Sequence, residues 1–194
     1  FTTDNGDVIV HGFENSRGVG RSVAAENQFD FIVKDDQWHE LTLPLSIAIQ
    51  SLKDKSALIT GLAFSNMNEG ANAGTVIYFD DIRLEGCGFE TAGDVWVNDD
   101  ATPEPEPEDV KYLYTDSFNL ECNWISDTLT ESTESPATGT KCLKWVYDHT
   151  GTWNSCTFSL PYLDLKNVEN TEGASLVFKF RVADDKGPST SWVI

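Results

Sequence analysis

Apolar and polar positions alternate along most of this chain with the period of two that marks half-buried strands. The runs "DVIVHGF", "QFDFIVK", "WHELTLPLS", "ALITGLAFS", "TVIYFDDIRL", "KCLKWVYD", "SCTFSLPYLDL" and "ASLVFKFRVAD" are short and rich in β-branched and aromatic residues. Clusters of Gly, Asn, Asp or Pro separate them. In the last run, Phe178, Phe180 and Val182 fall on one face, and Lys179 and Arg181 on the other. Only "LSIAIQSLKDKSA" has the spacing for a helical turn or two. The pattern predicts an all-β fold, an antiparallel β-sandwich of two packed sheets.

Residues 100–108, "DATPEPEPE", break the alternation. Proline lacks the amide donor and favours extended geometry, and the like charges repel, so this stretch reads as a semi-rigid acidic linker. It divides the chain into 1–99 and 109–194.

Composition narrows the classes. Of 194 residues, 40% are hydrophobic and 11% aromatic, enough to build a core. Thirteen basic residues against 32 acidic ones leave a net charge of −19. That balance argues against nucleic acid, whose phosphates need Lys and Arg, and against an anionic membrane surface. It suits cations and uncharged ligands such as neutral sugars. No stretch approaches the ~20 apolar residues of a membrane span. With neither an initiating Met nor a leader, Phe1 reads as a processed or cut end. The even set Cys87, Cys122, Cys142 and Cys156 suits an exported protein, placed outside the cell or on its surface. Cys142 and Cys156 flank the turn "YDHTGTW" almost symmetrically, which sets them opposite one another across a hairpin if their side chains share a face. Four cysteines allow three pairings, and all three stay open. No CxxC pair and only three histidines leave little basis for zinc.

The order of the strand runs carries a resemblance. "WHELTLPLS", "ITGLAFS" and "GTVIYFDDIRLEG" resemble the C-terminal half of the galactose-binding-like β-jelly-roll domains of many carbohydrate-binding modules. "YTDSFN", "GTKCLKWVYD" and "GASLVFKFRVAD" are similar to the N-terminal half of the same kind of domain. The halves stand in permuted order, closing half in 1–99 and opening half in 109–194, the two together forming one domain. "GPSTSWVI" at the end leads into "FTTDNGDVIVHGF" at the start without an obvious break. A circular permutant, one period of a tandem array completed by a neighbouring repeat, and joined pieces of a longer protein all account for this order.

The resemblance implies a structural calcium held by Asp80 or Asp81 of the closing strand with Asp116, joined by Asn119 or Glu121. Adjacent strand residues point to opposite faces, so at most one of Asp80 and Asp81 is expected on the core side. The same carboxylates equally suit a strand end or a turn. For a sugar, a flat aromatic platform is expected from Trp145, Tyr147, Trp153 and Trp192, with His11, Arg17 or Arg21 supplying hydrogen bonds. Each ring suits a core as readily as a ligand site. Trp38 is expected in the core, and Trp124 in core or edge packing. "NSRGVGRSV" lacks the phosphate-loop pattern and reads as a turn or a ligand loop.

Enzyme signatures are missing: no GxSxG elbow, no HExxH and no carboxylate pair that spacing singles out. The expectation is a secreted bacterial, non-catalytic carbohydrate-binding module for a plant or microbial polysaccharide, tethered to a catalytic domain by its acidic linker. The alternative is a structural repeat of an extracellular adhesin or filament. A polysaccharide lyase or hydrolase ranks below both.

Overall fold

The computed structural model describes residues 1–8, 36–66, 74–89, 109–147 and 154–183. The linker at 100–108 lies outside them. Among the described residues, nine strands and one helix follow in chain order: β1 (Thr2–Thr3), β2 (His39–Pro44), α1 (Ser46–Lys55), β3 (Ile59–Asn66), β4 (Val76–Glu85), β5 (Val110–Tyr114), β6 (Leu129–Ser132), β7 (Cys142–Val146), β8 (Asn154–Leu163) and β9 (Ser175–Val182). They form an antiparallel β-sandwich, as the alternation predicts. The small sheet has the order β1-β3-β8, and the large sheet β2-β9-β4-β7-β6 with β5 also paired to β4. Strands from before and after the linker pair in both sheets: β3 pairs with β8, and β4 with β5, β7 and β9. Both parts of the chain feed one core cluster.

Stacked aromatic rings join the two sheets. Phe64 of the small sheet lies 4.1 Å from Phe79 of the large one, nearly parallel, and meets Phe178 edge-on at 5.3 Å. Phe158 of β8 is 5.1 Å from Phe118, which is 5.1 Å from Tyr114. These rings are the apolar teeth of alternating strands, brought together because each sheet hides one face. The segment expected to hold a turn or two of helix forms the ten-residue α1. It buries Ala48, Ile49 and Leu52, and ends on Ser56 in a left-handed conformation. No helix among the described residues is long and apolar enough to cross a membrane.

The expected hairpin between Cys142 and Cys156 does not form. β7 and β8 belong to different sheets. Cys156 faces the core, whereas Cys142 donates toward the carbonyl of Ser132 outside the core cluster. All four cysteines are free thiols. Burial pushes the Cys87 thiol up to about 12 and the Cys142 thiol up to about 11.

Replacing Phe79 by alanine removes the ring that touches both Phe64 and Phe178. The expected loss is about 3–5 kcal/mol of unfolding free energy, measured by chemical denaturation. The wild type is expected to unfold in one transition, because both parts of the chain share one core.

Candidate functional site

The outer face of the large sheet is shaped by an extra residue in β4. Asp80 lies opposite Lys179 and Arg83 opposite Val177, so Asp81 and Ile82 share the single position of Phe178. Asp81 takes a φ of 48°, the left-handed region that aspartate tolerates better than most residues. This bulge changes the phase of the strand: Ile77 and Phe79 face the core before it, Ile82 and Leu84 after it. At most one of Asp80 and Asp81 is expected on the core side and neither is found there, although the premise of opposite faces fails at the bulge. Both are buried, and both lie outside the apolar core cluster.

Their carboxylates hold a strap, residues 133–141, that crosses this outer face. Asp80 accepts the backbone N–H of Ala137 at 2.9 Å and of Thr138 at 3.3 Å. Asp81 accepts the Thr138 hydroxyl at 2.7 Å and the Lys179 ammonium at 2.6 Å. Asp116 accepts the N–H groups of Thr140 at 2.6 Å and Lys141 at 2.9 Å. Gly139, at a φ of 57°, passes so close that a Cβ there would lie 2.2 Å from the Asp116 carboxylate. The other end of the strap is held by Trp38, whose Nε1 donates to Ser135 O at 2.9 Å, and by Arg181, which donates to Glu134 O at 2.8 Å. The Arg181 guanidinium lies 4.1 Å from the Tyr78 ring centre and 5.6 Å from that of Trp38. Trp38, expected in the core, is thus a half-buried ring on the outer face. Tyr78 OH and Lys144 both donate to the Glu134 carboxylate. A hollow of about 390 Å³ beside the strap is lined by Glu131, Ser132, Thr133, Glu134 and Lys141, with no aromatic ring.

These residues do not fit a calcium ion as arranged. A hard cation needs six to eight oxygens turned toward one point. Asp80, Asp81 and Asp116 instead face amides, hydroxyls and an ammonium. Asn119 Oδ1 accepts from the Thr115 hydroxyl at 3.3 Å, and Glu121 is exposed. Among the described residues, no three His, Cys, Asp or Glu side chains gather as a metal cage.

Two rings of the expected aromatic platform do not face solvent. Trp145 and Tyr147 share a strand face, as the alternation implies, but it is the core face. They are 2% and 0% exposed and meet edge-on at 5.6 Å. Stacking on a sugar requires an open ring, so neither is placed to do it. Trp153, Trp192, His11, Arg17 and Arg21 lie outside the described residues, as does "NSRGVGRSV".

An open ring stands instead on the small sheet. Residues 124–126 run antiparallel beside β8, with Ile125 opposite Phe158, Ser126 N–H donating to Thr157 O at 2.8 Å, and Ser159 N–H donating to Trp124 O at 2.8 Å. Phe158 belongs to the core and Ile125 packs against it. Their neighbours therefore point outward. One outward row runs Trp124, Ser159, Gly61, Thr2, and the next runs Ser126, Thr157, Ala63. Gly61 is required by crowding: a Cβ there would meet Phe158 O at 2.5 Å and Thr2 Oγ1 at 2.6 Å. A floor of such small side chains leaves the Trp124 ring 56% exposed. Farther along β8, Leu160, Pro161 and Tyr162 face only Thr60, because Ser159 pairs with Gly61 and Leu163 with Ile59. In this bulge Tyr162 is 70% exposed. Trp124 and Tyr162 are the two exposed aromatic rings among the described residues. The expectation of core or edge packing for Trp124 is corrected: it flanks the sheet edge with its ring outward.

The chain matches no family model, no curated protein and no solved structure. Its class rests on its own architecture, an antiparallel β-sandwich with one outer face strapped and charged and the other small-sided with open rings.

Burial pushes the Asp80 carboxyl up to about 6, against the pull of the amides of Thr138, Asp81 and Ala137. A raised folded pKa means the folded protein holds this proton more tightly than the unfolded chain. The stabilisation is complete below the unfolded value of 3.8 and is lost as pH rises through about 6. Stability relative to the Asp80→Asn variant is therefore expected to fall by roughly 1–3 kcal/mol across that window. Paired denaturation curves on either side of it measure the change, and a constant difference would remove the penalty assigned to ionised Asp80.

Proposed function

We propose that this chain is a non-catalytic carbohydrate-binding module whose ligand lies on the outer face of the small sheet. The observation that carries the reading is Trp124, exposed beside a floor of serine, threonine and glycine. A pyranose presents a flat C–H face and a rim of hydroxyls. An open indole takes the first by stacking, and short hydroxyl side chains take the second. Tyr162, on the neighbouring strand β8, is a second open ring.

The module is a jelly roll with its halves in permuted order. Support comes from β4, the closing strand, pairing directly with β5, the strand that opens the second part of the chain. Its ligand is a plant or microbial polysaccharide met outside the cell, and the acidic linker joins the two parts of the chain that share this sandwich.

Native affinity electrophoresis in gels containing soluble polysaccharides tests this directly. One polymer is expected to retard the protein without being depolymerised. Trp124→Ala is expected to weaken that retardation about tenfold or more, near the 1.4 kcal/mol that a stacked ring supplies. Tyr162→Ala is expected to weaken it less. Trp145→Phe, altering a core ring, should leave the affinity unchanged. Absence of retardation by every polymer tested would reject the reading.

A further inference from the structure

Resting on that reading, we infer that the small-sheet floor selects an uncharged glycan and discriminates against uronate-bearing polymers. The row from Trp124 through Ser159 and Gly61 to Thr2 crosses three strand spacings, about 14 Å of floor. None of its residues ionises, and neither do Ser126, Thr157 and Ala63 in the next row.

The hydroxyls of this floor match neutral sugar chemistry. Ser126 Oγ accepts the Thr157 N–H at 3.1 Å, which leaves its own O–H to donate outward. Ser159 Oγ donates to Trp124 O at 3.1 Å, which leaves lone pairs to accept. A sugar hydroxyl is donor and acceptor at once, so it pairs with both.

A carboxylate laid on the same floor meets no cation from either row. It would lose water beside the indole with no charged partner among the floor's residues, the arrangement that penalises a buried charge most. Lys144, Lys179 and Arg181 belong to the large sheet and are engaged by Glu134, Asp81 and Asp36 at 2.9, 2.6 and 2.8 Å. The net charge of −19 adds repulsion at longer range.

The test measures affinity of the intact chain for three neutral polymers, a mixed-linkage β-glucan, an arabinoxylan and a galactomannan, and two acidic ones, polygalacturonate and hyaluronan. The expected result is one neutral polymer bound at least about tenfold more tightly than either acidic one, with less than about twofold change between low salt and about 0.5 M NaCl. Trp124→Ala, confirmed folded by its unchanged melting temperature, is expected to lose most of that affinity. Equal or tighter binding of an acidic polymer would overturn the inference while leaving the carbohydrate reading intact. Loss of neutral binding in high salt would do the same. Failure to bind any of the five would overturn both.

Discussion

The extra residue in β4 sets most of what is distinctive in this molecule. β4 is hydrogen-bonded to β9 along one edge, while its other edge pairs with β7 over Val76–Phe79 and with β5 over Ile82–Glu85. The bulge lies where the second edge changes partner. Without the change of phase, Ile82 and Leu84 would turn out of the core that Ile77 and Phe79 occupy. With it, all four stay inside, and Phe79 keeps its place against Phe64 of the opposite sheet. The consequence falls on Asp80 and Asp81. Their carboxylates are buried on the outward side and need donors. The strap supplies them, and Asp116 from the β5–β6 connection holds the strap's far end.

How much of this was legible follows from which signals are local. The strands and the sandwich were, because period-two alternation is a property of a few consecutive residues. The bulge was not: positions 76–79 of "VIYFDDIRL" are all apolar, so Ile82 and Leu84 fit the unbroken phase of Val76 and Tyr78 as well as a shift from that of Ile77 and Phe79. Reading the two aspartates as an ordinary alternating pair missed that shift. The inward direction of Trp145 was not local. Alternation put it with Tyr147, but only the pairing of β7 with β4, opposite Ile77, makes that face the core. Trp124 was hidden for a related reason. "ECNWISD" has no strand pattern of its own, and its ring is aimed by hydrogen bonds to Thr157 and Ser159, more than thirty residues away. The cysteines show the limit of spacing arguments: the symmetric positions of Cys142 and Cys156 about a turn say nothing about a crossing from one sheet to the other.

The two outer faces of the sandwich differ in what a ligand would have to displace. On the large sheet, carboxylates, amides, Arg181 and Lys179 already hold one another, and the strap lies over them. A newcomer there must break charge-assisted hydrogen bonds, which are among the stronger protein contacts. On the small sheet the outward residues are short, neutral and set around a crowding-enforced glycine, so much of what a ligand displaces there is water. More than half of the surface of Trp124, and of Tyr162, is still open to be covered in such an exchange. Aromatic burial and the pairing of modest hydroxyls then act together. Placing the ring on a paired edge segment rather than in a loose loop also lowers the entropy lost on binding. The acid strap and the open floor are therefore complementary results of one packing scheme. Where the large sheet carries charge, the strap covers and neutralises it, and beside the small hydroxyls of the other sheet the Trp124 ring stays open.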